Sequence, residues 1–311
     1  MIKRFTIPTW LEHHDMMRTA WKLQNIEDIA VLRKRLSRFQ CDNPLVSIVI
    51  PVWNEEENIV RTLSSFASMH IPFDTELIVV NNNSTDNTAA ILDALGVKTI
   101  VEKRQGIAHA RLAGLKASRG VYHLCGDGDS LYPPDWIKAM VEPMMRNPSI
   151  TCVYGNYSFI PAGYTSRTTL ALYEILAETL FEMRRLKREF LNVRGANFGF
   201  RREQGLAVDG FVMPITRVYD NAEGSKNFVV YGEDGRMGRK LGELGKLKLV
   251  RTHKARIWTS SRRLLKDGSL QQAFAKKVKK ESGRLLEYVF GPDRVKNTTD
   301  QLPAPAQQTM A

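Results

Sequence analysis

The 311-residue chain contains few cysteines and no long hydrophobic segment. Its three cysteines, Cys41, Cys125 and Cys152, are odd in number and lack Cys-x-x-Cys spacing, which argues against a disulfide framework and a zinc site. No stretch approaches the roughly 18 uninterrupted apolar residues of a membrane-spanning helix. The first residues also lack the apolar core of a signal peptide, so we expect a cytoplasmic protein.

Acidic residues are fewer than basic ones. Lys and Arg number 45 against 33 Asp and Glu, which gives a formal net charge of +12. Such an excess favours anionic partners, including nucleotide phosphates, acidic lipid headgroups and nucleic acid. No nucleic-acid-binding module is recognisable, however, and no nucleic-acid partner is predicted. A Gly-x-Gly-x-x-Gly loop is also missing after the first predicted strand, which argues against a dinucleotide-dependent dehydrogenase.

Hydrophobic patterning alternates predicted strands with predicted helices from residue 45 to residue 130. Three apolar, largely β-branched runs each lead into a polar loop and then into a helical pattern, the last helix spanning 107 to about 118. A fourth apolar run ends in Gly-Asp-Gly-Asp at 126–129. The alternation predicts a parallel sheet with right-handed crossover connections.

Two acids one residue apart, Asp127 and Asp129, directly follow this fourth run. In open α/β sheets, ligands bind beyond the carboxyl ends of the strands, and residues two apart on an extended chain point the same way. Oxygen donors in this arrangement suit Mg²⁺ or Mn²⁺ bridging substrate phosphates. Taken alone, the same residues also fit a turn in which both acids cap backbone amides.

Further segments flank this region and extend it. Residues 1–44 are predicted to form a helical N-terminal extension that packs on the main domain, with a membrane-facing or partner-binding arm as the alternative. Residues 168–191 form a further predicted helix. Residues 261–295 are a basic helical segment, which predicts either a solvated face or peripheral contact with an anionic membrane at its inner face. Residues 296–311 have the composition of a disordered tail.

Six segments in order along the chain resemble the motifs of family 2 glycosyltransferases. They are VSIVIPVWNEEENI, IVVNNNSTDNT, a basic loop followed by GIAHARLAGLKASRG, CGDGDS, VRGANFGFRRE and GEDGRMGRKLGELG. The resemblance covers roughly residues 45–260. It implies the GT-A fold, an α/β architecture with a Rossmann-like, mostly parallel central sheet flanked by helices. It also implies a nucleotide-binding half over 45–130 and an acceptor half over 131–260.

The same resemblance implies an activity. A family 2 enzyme would transfer a hexosyl group from a nucleotide-sugar donor to a hydroxyl of a glycan or lipid-linked acceptor, with inversion and with Mn²⁺ or Mg²⁺. Such a reaction would build a cell-surface polysaccharide or glycolipid. The absence of Gln-x-x-Arg-Trp argues against a processive synthase. The alternatives are a polyprenyl-phosphate sugar transferase and a catalytically silent nucleotide-sugar-binding module, which would be expected to have lost Asp129 or Asp234.

The resemblance also implies roles for individual residues. Asp234 would be the general base, with Glu233 beside it, and Asp129 the direct metal ligand. Asp127 would contact the ribose or the metal, and His253 would add a metal or diphosphate contact. The family usually has acids at Asn81 and Asn82, so the identity of the base stays open. The implied nucleoside contacts are Pro51, Trp53, Glu55 and Asn82, and the implied diphosphate contacts are Arg104 and Arg111. The implied sugar or acceptor contacts are Asn197 and Arg201 or Arg202. Gly195 would allow the backbone to approach closely.

Overall fold

The computed structural model describes residues 4–15, 26–162, 165–213 and 232–261, together with nine helical positions between 264 and 288. Within these ranges the chain alternates helices and strands. The helices are α1 (Thr9–Asp15), α2 (Ile26–Leu36), α3 (Ile59–Ala67), α4 (Thr88–Ala94), α5 (Ile107–Ala117), α6 (Trp136–Arg146), α7 (Arg167–Lys187), α8 (Arg202–Ala207) and α9 (Glu233–Leu244). The strands are β1 (Val46–Val52), β2 (Thr75–Asn81), β3 (Thr99–Val101), β4 (Tyr122–Cys125), β5 (Ser130–Leu131), β6 (Ile150–Gly155), β7 (Tyr157–Ile160), β8 (Phe198–Arg201), β9 (Lys246–Val250) and β10 (Ile257–Ser260).

Seven strands form the central sheet, in the order β3-β2-β1-β4-β8-β6-β9. Neighbouring strands are parallel except at β8, which runs antiparallel to both β4 and β6. Every residue of β1 is buried, as expected for a strand covered by helices on both faces. The predicted mostly parallel α/β sheet is therefore confirmed, and the carboxyl ends of β1, β2 and β4 lie at one edge.

Small residues let α5 lie close to the sheet. A Cβ atom on Gly114 would lie only 2.2 Å from Cγ1 of Val49 in β1. Ala110, one turn earlier, is fully buried in the same cluster as Val49 and Val80. A helix of small residues is thus what this face of β1 and β2 requires. The close contact fixes α5, and with it every side chain that α5 directs toward the carboxyl edge.

On the other face of the sheet, aromatic rings fill the space beneath α3 and α6. Tyr132 stacks on Phe66 with ring centres 4.6 Å apart, and it meets Trp136 edge to face at 4.7 Å. Aromatic pairs in these geometries contribute beyond the area that they bury. This cluster lies directly behind the loop that follows β4, so it supports the region where the predicted ligands would bind.

A second sheet of three strands, in the order β5-β10-β7, adjoins the same loop. Leu11 of α1 is buried against Leu131, Ile160 and Trp258 of this sheet. His14 also bonds Ser64 of α3 through Nδ1 at 2.8 Å. The described part of the N-terminal extension therefore packs on the main domain.

The C-terminal segment packs on α7 where it is described. Phe274 meets Tyr173 of α7 with ring centres 6.2 Å apart, and the Arg184 guanidinium lies 5.6 Å from the Tyr288 ring centre. Most of the predicted segment 261–295 and all of the predicted tail 296–311 lie outside the described residues. Among the described helices, none combines the length and the hydrophobicity needed to cross a membrane.

Substituting Gly114 with Ala should destabilise the protein. The added methyl would collide with Val49 in β1, and overpacking of this kind typically costs about 1–3 kcal/mol. Gly242→Ala in α9 is the matched control, because its nearest neighbour would lie 3.6 Å from the new Cβ. That control should gain roughly 0.5–1 kcal/mol from helix propensity. Urea denaturation of both variants tests the packing, and equal changes in the free energy of unfolding would contradict it.

Candidate active site

The two acids of the Asp-Gly-Asp sequence lie in a short loop between β4 and β5, at the carboxyl edge of the sheet. The loop is anchored to its surroundings: Thr62 Oγ1 of α3 donates to the Gly128 carbonyl at 2.8 Å. A Cβ on Gly128 would lie 2.7 Å from Val52 Cγ1, so the loop lies directly against the end of β1. Asp129 is buried, whereas 30% of the Asp127 side chain is exposed. The strand thus delivers both carboxylates to the predicted edge.

Arg111 of α5 connects this loop to a distant part of the sequence. Its side chain is only 3% exposed, and its Nη2 lies 2.7 Å from Asp127 Oδ1. Its Nε lies 3.4 Å from Glu233 Oε1 at the start of α9. Although burial alone would lower it, the pKa of the Arg111 guanidinium is raised by the surrounding negative groups, with Asp127 the largest contributor. Arg111 therefore stays charged, and it brings the loop after β4 and the Glu-Asp pair into one site.

The carboxylate of Asp234 is oriented by two backbone amides. Gly195 N–H donates to Oδ2 at 3.0 Å, and Gly235 N–H donates to Oδ1 at 2.7 Å. Gly195 precedes β8, whose first residue lies opposite Cys125 at the end of β4. A Cβ on Gly195 would lie 2.3 Å from Arg111 Nη2, so only glycine allows the backbone to approach the guanidinium this closely. Asp234 is held in place at the carboxyl edge of the sheet.

Glu233 titrates differently from an ordinary glutamate. Burial is the largest cause that raises the pKa of Glu233, the Asp234 charge raises it further, and Arg111 opposes both. The result is a pKa of about 7. Near neutral pH, Glu233 is therefore partly protonated beside Asp234. A carboxyl group that exchanges its proton near neutral pH is suited to acid–base chemistry.

Tyr132 is a component of the site that sequence reasoning missed. Its hydroxyl accepts from Asp127 N–H at 2.8 Å and donates to the Ala196 carbonyl at 3.1 Å. The ring is fully buried, and burial raises the pKa of Tyr132, so the hydroxyl keeps its proton. One side chain thus joins the loop after β4 to the segment before β8. No spacing signal identified it, because an aromatic residue at this position also fits the core.

The carboxylate oxygens of Asp127 and Asp129 are of the donor type that a divalent cation such as Mg²⁺ prefers. The part of the chain that the structure describes holds no cluster of three or more His, Cys, Asp or Glu side chains able to bind a metal. An Mg²⁺ or Mn²⁺ ion held by Asp127 and Asp129 would therefore complete its coordination with substrate phosphates and water, as Mg²⁺ commonly does. The predicted third ligand, His253, is exposed on a 3₁₀ turn (His253–Ala255) and is not grouped with them.

The predicted nucleoside contacts lie at and just after the carboxyl end of β1. Pro51 is within the strand and pairs with Val80, and Trp53 follows, half-buried. Glu55 is buried, and its carboxylate accepts from Asn58 Nδ2 at 2.7 Å. Their contact with a nucleoside remains a prediction.

Asn82 has a role within the protein that sequence reasoning did not assign. Its Nδ2 donates to the carbonyls of Glu102 and Arg104, both at 2.8 Å, and its Oδ1 accepts from Gly106 N–H at 2.8 Å. Gly106 adopts φ = +137°, a conformation that side chains disfavour. A carboxylate could not donate to two carbonyls, which explains why an amide suits this position. The structure uses Asn82 to hold the basic loop, so it gives no support to a contact with the base.

Three further residues of the predicted site have partners within the protein, and the ligand contacts of Arg104 and Asn197 stay predictions. Arg104 is 65% exposed and bonds Glu102 of its own loop. The buried Asn197 accepts from Trp136 Nε1 at 2.8 Å and donates to two backbone carbonyls. For Arg201 the expected position in the pocket is wrong, because β8 is antiparallel and carries Arg201 opposite Tyr122, at the far end of β4. Three strand residues correspond to about 10 Å. The next residue, Arg202, lies beyond it, with its N–H on the Val121 carbonyl.

Comparison with known proteins identifies the family of this chain. Residues 47–204 match the family model for glycosyl transferase family 2. The chain belongs to this family. A mannosyltransferase from Pyrobaculum calidifontis, solved with GDP-Man and Mn²⁺, has a similar fold, with a TM-score of 0.50 at 19% identity over 86% of this chain and 76% of that one. The family and this likeness confirm the GT-A fold.

Curated relatives match a shorter region. The poly-β-1,6-N-acetyl-D-glucosamine synthase of Staphylococcus epidermidis is 33% identical over 116 residues, which are 36% of this chain and 28% of that protein. The undecaprenyl-phosphate 4-deoxy-4-formamido-L-arabinose transferase of Pseudomonas fluorescens is 33% identical over 106 residues, which are 31% of each chain. The matched region thus spans less than a third of these two relatives.

The raised pKa of Glu233 predicts a pH-dependent stability. The folded protein binds this proton more tightly than the unfolded chain, so the stabilisation is complete below the ordinary glutamate pKa, about 4.3, and is lost as the pH rises through about 7. Glu233→Gln removes the titrating group. Urea denaturation in EDTA between pH 5 and pH 8 should therefore show the variant gaining stability relative to wild type as the pH rises.

The matched control for this measurement is Glu203→Gln, since Glu203 is exposed on α8. Its free energy of unfolding should follow the wild-type pH dependence without divergence. A Glu233→Gln curve parallel to that of wild type would show that Glu233 has an ordinary pKa in the folded protein.

Proposed function

We propose that this protein transfers a hexosyl group from a nucleoside-diphosphate sugar to an acceptor hydroxyl, with inversion at the anomeric carbon. The observation that carries this proposal is the buried Arg111, which lies 2.7 Å from Asp127 and 3.4 Å from Glu233. Glycosyl transfer needs a group that holds the donor diphosphate and a group that takes the acceptor proton. Both candidates lie in one site, connected by a single side chain.

The proposed chemistry uses Asp234 as the general base. The acceptor hydroxyl gives its proton to the Asp234 carboxylate, and its oxygen forms a bond to the anomeric carbon. The bond from that carbon to the diphosphate oxygen breaks, and the electron pair leaves with the diphosphate. Attack from the face opposite the leaving group inverts the configuration. The Gly195 and Gly235 amides hold the carboxylate in a fixed orientation, and a positioned base typically contributes ~10²- to 10⁴-fold in rate.

Asp129 and Asp127 would hold a divalent cation. When bound, Mn²⁺ or Mg²⁺ would neutralise charge that develops on the departing diphosphate. The Pyrobaculum calidifontis mannosyltransferase was solved with GDP-Man and Mn²⁺, which supports this choice of cofactor and donor class. Arg111 pairs with both Asp127 and Glu233, so it would orient the Asp127 carboxylate in this site.

The acceptor class is less narrowly supported than the donor class. The Staphylococcus epidermidis relative is a poly-β-1,6-N-acetyl-D-glucosamine synthase, which supports a role in building a polysaccharide or glycolipid. The cell-surface destination and the cytoplasmic location stay predictions from the sequence. A second candidate is transfer to a polyprenyl phosphate, which the Pseudomonas fluorescens relative favours. A lipid phosphate is already ionised and needs little base catalysis. The oriented Asp234 therefore favours the hydroxyl acceptor.

The donor and the metal can be tested together by thermal shift. One nucleotide among UDP, GDP, TDP and CMP should raise the melting temperature only when Mn²⁺ is present, because a ligand of the folded state stabilises it by about 2.7 kcal/mol at 100 times its Kd. Asp129→Ala should abolish that shift. Asp93→Ala, at an exposed position of α4, is the control and should retain it. A shift that persists in Asp129→Ala would remove Asp129 from the metal site.

The general base is tested with the donor that this panel identifies. Asp234→Asn should lower turnover by roughly 10²- to 10⁴-fold, since the amide cannot accept the proton. The nucleotide-dependent thermal shift should stay as in wild type. Release of nucleoside diphosphate is the measurement, and Glu233→Gln is assayed beside it. A larger loss in Glu233→Gln than in Asp234→Asn would reassign the base to Glu233.

A further inference from the structure

A second arginine, Arg194, lies on the other side of Gly195 from Arg111. Gly195 packs against the Arg111 guanidinium, and its N–H, which belongs to the peptide group between residues 194 and 195, donates to Asp234. The Arg194 side chain reaches α7, where its guanidinium carbon lies 5.8 Å from the ring centre of Phe181. The peptide group that binds Asp234, the candidate base, therefore lies between two arginines. Arg111 faces the loop after β4, and Arg194 faces α7.

Among the described residues, Arg194 has no carboxylate partner, in contrast to two other arginines near α7. Arg167 pairs with Glu174 at 2.6 Å, and Arg256 pairs with Glu178 at 2.6 Å. Within the described ranges of the chain, the Arg194 guanidinium forms no ion pair or hydrogen bond, and its Nε is buried without a partner. Its positive charge is therefore available to an anionic ligand on the α7 side of Gly195, whose N–H binds Asp234.

Aromatic side chains hold this arginine in position. Phe181 is buried, and its ring contacts both Arg194 and Arg184, at 5.8 and 5.9 Å. Tyr173 lies about two turns before Phe181 in α7. Burial raises the pKa of Tyr173 to about 12, and the nearby Arg194 charge opposes that rise. A guanidinium stacked on an aromatic face loses less freedom when it binds a ligand. Its planar fork then matches the oxygens of a phosphate or a carboxylate.

We propose that Arg194, supported by Phe181, forms an acceptor-side subsite for an anionic group, a phosphate or a carboxylate carried by the acceptor sugar. The inference rests on the proposed function, because it assigns the acceptor to the α7 side of Asp234. An acceptor with such a group would be held with its hydroxyl near the base, and a neutral acceptor would lack this contact. The subsite thus selects phosphorylated sugars or uronates.

Isothermal titration of three matched sugars tests the subsite. Glucose 6-phosphate carries a phosphate, glucuronate carries a carboxylate, and glucose carries neither. Each is titrated into the full chain, alone and with Mn²⁺ and the nucleotide found in the thermal-shift panel. At least one anionic sugar should bind wild type about 10-fold more tightly than glucose, the effect of one charge-assisted contact. The anion with the higher affinity identifies the acceptor group as phosphate or carboxylate.

Arg194→Gln should remove the preference for the anionic sugar, and Arg194→Lys should keep part of it. Arg146→Gln is the matched control, because Arg146 is 76% exposed on α6 and bonds Glu142. Its preference should equal that of wild type. Binding of the anionic sugars no tighter than glucose, or a preference unchanged in Arg194→Gln, would overturn the inference.

The nucleotide thermal shift separates this inference from the proposed function. The shift should be the same in Arg194→Gln as in wild type. Loss of the shift in that variant alone would place Arg194 on the donor side and overturn the inference, with the transferase proposal intact. If wild type binds no nucleotide, the transferase proposal fails, whereas the sugar titrations without nucleotide still show whether Arg194 selects anions.

Discussion

A buried guanidinium must be matched by carboxylates, and Arg111 imposes this requirement on the whole site. Taking a cation out of water costs several kcal/mol unless opposite charges and hydrogen bonds replace the solvent. Asp127, in the loop after β4, and Glu233, at the start of α9, supply the charges. Arg111 can reach both because Gly114 lets α5 lie against β1. Packing in the core thus helps to set the distance between the loop after β4 and the start of α9.

The same requirement explains why the Glu-Asp pair has unequal members. Glu233 lies next to the Arg111 Nε, yet burial and the Asp234 charge still raise its pKa to about 7. Asp234 instead receives two backbone N–H groups. Glu233 is therefore suited to exchange a proton near neutral pH, whereas the Asp234 carboxylate is held by the two backbone N–H groups. The sequence Gly-Glu-Asp-Gly supports this division, because it places both acids in the first turn of α9 and gives Asp234 the N–H of Gly235.

The alternation of strands and helices from 45 to 130 could be predicted because each element depends on local pattern. β-branched runs became β1 to β3, and the small-residue helix expected from 107 to about 118 became α5, Ile107–Ala117. The two aspartates were predictable for the same reason, since a strand's carboxyl end fixes where its following residues lie. The position of Arg201 was not predictable, because it depends on the antiparallel direction of β8. That direction is set by the long connection that leads into β8, which no local sequence pattern describes. The intramolecular partners of Asn82 and Asn197 were not predictable either, since they come from other loops.

Motif residues in this chain therefore fall into two groups that sequence alone does not separate. Asp127, Asp129 and Asp234 lie at the carboxyl edge of the sheet, whereas Asn82 and Asn197 bond groups of neighbouring segments, as does Tyr132 outside the motifs. The second group explains a departure from the family pattern: the chain needs an amide at 82 because two carbonyls of the basic loop must be satisfied. These three hydrogen bonds account for the amide without a ligand, so its presence gives no support to a particular nucleobase, and the nucleoside contact of Asn82 stays a prediction.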